Sequence, residues 1–206
     1  MRWQLVAGFS AALLGVTSAG AAPLSDQALV RALQGGGYVI VMRHASSPIA
    51  LPDGKTAETD NTARERQLDA AGKDSARAMG AALKALKIPV GKVWSSPTYR
   101  ARETGRLANL PAPETAAPLG DAGANMQAKV EEARAGYLRG KSEEVPRAGT
   151  DTIVVTHGPN MVAAFGKEAS GLTDGEAMVF HPDGQGHTEL VGRVKIGDWP
   201  KLTQNP

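Results

Sequence analysis

No cysteine occurs among the 206 residues. That excludes disulfides, a thiolate metal site, a cysteine nucleophile and a lipid-modified cysteine anchor. Aromatic residues are scarce, with three Phe, three Trp and three Tyr, so Ala, Val and Leu must fill the core. Neither sign of charge dominates: 23 Lys plus Arg stand against 21 Asp plus Glu. This excludes an obvious polybasic nucleic-acid binder. No run of about 18 uninterrupted apolar residues occurs, which excludes a multi-span membrane protein. What is present is ordinary globular composition, 42% apolar and 21% charged, in a length that suits one domain.

The N-terminus reads as an address. Arg2 precedes a mostly apolar stretch from Trp3 to Val16, and small residues follow through Ala22. Ala19-Gly20-Ala21 has the form of a signal-peptidase site. The expectation is a signal peptide over 1–21, a mature domain over 22–206 and a periplasmic or secreted protein. No stable membrane insertion is expected after cleavage. An uncleaved anchor is the alternative, but Gln4, Gly8 and Ser10 interrupt the stretch.

Hydrophobic periodicity organises the rest. Leu29, Val30 and Leu33 mark a short helix ending at Gly35-Gly36-Gly37. Tyr38–Met42 and Thr152–Thr156 are continuous apolar runs without polar alternation, the pattern of strands buried on both faces of a parallel sheet. Lys92–Ser95 is a shorter strand. Helices are expected over Ala70–Leu86, Tyr99–Ala108, Met126–Leu138 and Asn160–Lys167. The strands Ala177–Phe180 and Glu189–Ile196 form a hairpin through Pro182-Asp183-Gly184. Ser46–Arg66 is a long polar loop expected to fold over a site, and Pro111, Pro113 and Pro118 mark another loop. The order predicts an α/β fold with a mainly parallel sheet and an antiparallel edge.

In such sheets ligands bind at the carboxyl ends of the strands. There the first buried strand delivers Arg43-His44. The second delivers Ser95-Ser96-Pro97, with Arg100 and Arg102 on the next helical turn. The third delivers His157-Gly158. Guanidinium groups match phosphate oxygens and stay charged, and helix N-termini favour anions. A neutral imidazole is a competent nucleophile near pH 7. A metal site on His44 and His157 is disfavoured, because the surrounding Arg charges repel a cation. His181 and His187 read as exposed turn residues. Glu131-Glu132 and Glu143-Glu144 read as solvated helix charges. Trp199 is expected to plug a C-terminal strand into the core edge. Asp60, Arg64 and Arg66 stay undecided between surface and substrate.

Together these segments resemble the histidine phosphatase (phosphoglycerate mutase-like) superfamily. Its Arg-His-Gly motif is matched by Arg43-His44-Ala45. Its Ser-Ser-Pro-x-x-Arg-Ala-x-x-Thr segment is matched by Ser95 to Thr104, and its second His by His157-Gly158. Arg66 to Gly72 is similar to the family's Leu-Thr/Ser-x-x-Gly helix start. The likeness runs from Tyr38 to about Trp199, nearest to small exported bacterial members. It implies a single three-layer domain and a phosphomonoesterase acting through phosphohistidine on His44. Arg43 and Arg100 clamp the phosphoryl oxygens, His157 donates to one, and Ser96 joins the substrate-binding set. No metal or cofactor is implied.

Two departures stand out. Ala45 replaces the family glycine, whose backbone tolerates positive φ. The general acid is also unassigned: Glu176, in a Gly-Glu-Ala context, is preferred, with Asp121 and Glu114 as alternatives. The competing functions are a mutase of the same family and a phosphate-binding module with little turnover. The expected partner is a phosphorylated small-molecule or envelope substrate, with no nucleic acid.

Overall fold

The computed structural model describes residues 23–48, 65–121 and 127–204. The expected signal peptide, most of the Ser46–Arg66 loop with Asp60 and Arg64, and Met126 lie outside the described residues.

Six strands form one sheet in the order β3-β2-β4-β1-β5-β6. They are β1 (Val39–Arg43), β2 (Val90–Ser95), β3 (Glu114–Thr115), β4 (Asp151–Thr156), β5 (Ala177–Pro182) and β6 (Thr188–Val194). β1, β2 and β3 run parallel to β4, while β5 turns antiparallel against β1 and pairs with β6. The expected parallel sheet with an antiparallel hairpin at its edge is what forms.

The two faces follow the alternation along β1. Ile40 and Met42 face a core built with α1 (Asp26–Gly35), α2 (Ala70–Ala85), α3 (Tyr99–Leu107) and a short C-terminal helix. Val39 and Val41 face α4 (Ala128–Glu143) and α5 (Gly158–Phe165). Both faces of β1 and β4 are covered, which is why their sequences lack polar alternation. The C-terminal helix, α6 (Trp199–Leu202), follows the last strand, and Trp199 at its start is 1% exposed in the core.

β1, β2 and β4 end at the same edge. Main-chain bonds extend the ladder there: the N–H of His44 donates to Thr156 O, that of Ser96 to Val155 O, and that of Arg43 to Glu176 O. The strand-end residues are thereby fixed by the sheet itself.

Candidate active site

Arg43, His44, Arg66, Arg100, Asp121, His157 and Asp174 line one cleft of about 360 Å³, together with Ser46, Ser47, Gly158 and Pro159. His44 and His157 are both 2% exposed, and their rings meet edge to face with centroids 5.1 Å apart.

Hydrogen bonds assign the proton on each ring. His44 Nδ1 lies 2.8 Å from Ala45 O. A carbonyl only accepts, so Nδ1 carries the hydrogen and Nε2 holds a lone pair. That lone pair accepts from Arg100 Nε at 3.1 Å. Arg100 Nη2 donates to His157 Nδ1 at 3.2 Å, so the His157 proton sits on Nε2 and is donated to Ser96 Oγ at 2.8 Å. Burial lowers the His44 pKa to about 3; the Ala45 hydrogen bond opposes this, and Arg100, Arg43 and Arg66 add to it. His157 is held well below its ordinary value, first by burial, then by His44 and the same guanidinium groups. Both rings are neutral at pH 7.

Arg100 is 4% exposed and ties the cleft together, because its Nη2 also pairs with Asp121 Oδ2. Asp121 is delivered by a short 3-10 turn, Ala117–Leu119. Thr156 Oγ1 and Asn160 Nδ2 donate to Leu119 O at 2.9 and 3.2 Å, and Arg134 Nη1 donates to Gly120 O at 2.8 Å. Across the cleft, Arg43 Nη2 pairs with Asp174 Oδ1 at 2.6 Å. Arg43 lies against the start of α5 at Gly158, where a Cβ would sit in ordinary contact, 3.5 Å from Arg43 Cδ.

Four sequence expectations change here. Glu176 does not line the cleft. Its carboxylate is buried and saturated, accepting from Arg193 Nε at 2.8 Å and from Thr173 N and Oγ1 at 3.0 and 2.9 Å. Burial alone would raise its pKa, but these bonds outweigh it and hold the group below the carboxylate norm. A saturated anion facing away from the cleft is no proton donor to it. Glu114 lies on the exposed edge strand and pairs with Lys92. Asp121 is the acid candidate that the fold brings to His44. Ser96, expected in the substrate-binding set, is fully buried behind His157, bonds to that ring and does not line the cleft. His157 Nδ1 accepts from Arg100 here, so donation to a phosphoryl oxygen requires the other tautomer, with the proton on Nδ1 and Ser96 Oγ donating to Nε2.

Ala45 needs no glycine: its φ is not positive, and its N–H donates to Thr104 Oγ1 at 3.1 Å. Arg66, left undecided by the sequence, enters the cleft with its guanidinium held by Ser47 Oγ and O, each at 3.2 Å. Sequence reasoning missed Asp174, Ser46 and Ser47. Their only signal was proximity to motif residues. Among the described residues, no group of three or more His, Asp or Glu side chains is placed to hold a metal ion.

No family model matches the sequence, and no curated protein does. Solved structures do match. The protein histidine phosphatase SixA, solved with tungstate, shares 22% identity at a TM-score of 0.57, covering 78% of this chain and 98% of that one. A phosphoserine phosphatase from Entamoeba histolytica, solved with phosphoserine, shares 12% identity at a TM-score of 0.53, covering 77% and 97%. With its strand order, its paired imidazoles and these structural likenesses, the chain has the phosphoglycerate mutase-like fold of the histidine phosphatases.

Proposed function

We propose that the protein is a phosphatase that hydrolyses phosphomonoesters through a phosphohistidine intermediate on His44. One observation carries the reading. A buried, neutral imidazole presents the lone pair of Nε2 into a cleft lined by Arg43, Arg66 and Arg100. The similarity to structures described as phosphohistidine and phosphoserine phosphatases supports it.

The phosphoryl group draws the guanidinium groups of Arg43 and Arg100 onto its oxygens, and Arg100 releases His44 Nε2. The lone pair attacks phosphorus as the P–O ester bond breaks. The leaving oxygen takes a proton from Asp121, which enters the step protonated from solvent after Arg100 has turned from it to the phosphoryl oxygens. Water then attacks phosphorus, Asp121 takes its proton, and the P–N bond breaks. The Arg groups neutralise the charge that phosphoryl transfer develops. Release of inorganic phosphate, and not of an isomerised ester, separates this from a mutase.

The test is phosphate release from an aryl phosphate ester, with acid-labile phosphohistidine trapped by rapid quench. His44→Ala should abolish both the adduct and turnover. Retention of wild-type rates by that variant sinks the mechanism. Asp121→Asn should slow turnover by about 10²–10⁴-fold for esters with poor leaving groups, and much less for an aryl phosphate. Residues 1–21 are further proposed to export the protein, acting there on a phosphorylated small-molecule or envelope substrate. N-terminal sequencing of the protein recovered outside the cytoplasm tests this: a mature chain should begin at Ala22.

A further inference from the structure

Asp174 has no part in the proton transfers above, yet it is held at the cleft with care. Its turn is stitched from both sides. Gly175 N–H donates to His44 O at 3.0 Å with Gly175 at φ +70°, and a Cβ there would meet Ile196 at 2.6 Å, so only glycine serves. Glu176 anchors the turn by accepting from Thr173 on one side and Arg193 on the other. Arg193 Nη1 in turn donates to Glu168 O and Ser170 O, both at 3.0 Å. The outcome is a carboxylate on the cleft lining, about one-third exposed, with its buried Oδ1 2.6 Å from Arg43 Nη2. Among the described residues, the acidic side chains of the cleft lining are Asp121, on the Arg100 side, and Asp174, on the Arg43 side.

We propose that Asp174 is a charge-selecting residue: it weakens the hold on inorganic phosphate and favours phosphomonoesters whose alcohol carries an amine over those whose alcohol carries a carboxylate. The inference rests on the phosphatase reading. Whether Asp174 stays on Arg43 or yields it to the phosphoryl group, its charge remains beside the bound ester. It repels a phosphate anion and a carboxylate on the leaving group, and it attracts an ammonium. For a partly solvated pair a few ångströms apart, the effect is about threefold to tenfold.

Asp174→Asn removes the charge but keeps an oxygen for Arg43, and Asp174→Glu keeps the charge. Inorganic phosphate affinity is measured by titration calorimetry, and kcat/KM is measured on 2-aminoethyl phosphate and carboxymethyl phosphate. Asp174→Asn should bind phosphate about threefold to tenfold more tightly and lose preference for the amine by a similar factor, with Asp174→Glu close to wild type. Unchanged or weaker phosphate binding in Asp174→Asn overturns the role and leaves Asp174 as a mere support for Arg43. A wild-type protein that binds no phosphate overturns the phosphoryl site, and this inference with it.

Discussion

His44 shows how surroundings set a residue's chemistry. An exposed imidazole would be half protonated near pH 6.5, whereas this one stays neutral down to about pH 3. Acid should therefore not quench the proposed nucleophile in the ordinary range. Expressed per substrate dianion, kcat/KM should not fall between pH 7 and pH 5. A fall centred near 6.5 would mean that the ring titrates like a free histidine. Ser96 acts one step behind. It accepts from His157 Nε2 and so keeps the bare Nδ1 toward Arg100. Ser96→Ala leaves a buried N–H with only Thr98 Oγ1 at 3.4 Å. Turnover should drop about tenfold while KM changes little, and the pH profile should shift as the ring exchanges tautomers.

At the scale of elements, the entry to α2 shapes the cleft. Asp69 caps the helix by accepting from Gly72 N at 2.6 Å, and its other oxygen accepts from Ser46 Oγ at 2.7 Å. Gly72 is required for a reason unrelated to φ: a Cβ there would lie 2.1 Å from Ser46 O. Gly72→Ala should cost about 3 kcal/mol in denaturant unfolding and reduce activity by displacing the Ser46 wall, whereas Asp69→Ala should cost about 1 kcal/mol. The family-like Arg66–Gly72 stretch thus marks a contact between helix and cleft. Other elements were readable to different degrees. β1 and β4 announced themselves because both faces are buried. β3 did not, since two exposed residues among prolines become a strand only by pairing with Trp94 and Ser95 of β2. The same logic divides the site. His44, Arg100 and His157 follow strands, and the strand-end rule places them. Asp174 and Asp121 ride on turns whose course depends on partners far along the chain, such as Arg193 and Asn160. The Gly-Glu-Ala signal marked the turn that reaches the cleft, but the carboxylate it named, Glu176, anchors that turn while Asp174 lines the cleft.

Across the whole molecule, charge is also managed at the end of the sheet away from the cleft. Asp151 opens β4, is fully buried, and accepts from Tyr38 N at 2.9 Å through Oδ1. Burial raises its pKa from 3.8 to about 7, against the lowering effect of that bond. Between about pH 4 and pH 7 the folded chain keeps a proton that the unfolded chain has released, so this group's contribution to stability declines as pH rises through that window. The ceiling is about 4 kcal/mol. Asp151→Asn should unfold about 1–3 kcal/mol harder than wild type at pH 8 and nearly alike at pH 4, as read from urea midpoints. The position of β1 has its own bearing on the molecule. It is flanked by β4 and β5, both from beyond residue 150, and Tyr38 reaches Asp151 across 113 positions. Contacts of such separation form late. A nascent chain therefore carries the imidazole proposed as nucleophile without a finished cleft around it, and the pocket that would make that ring useful closes only after β4 and β5 have emerged.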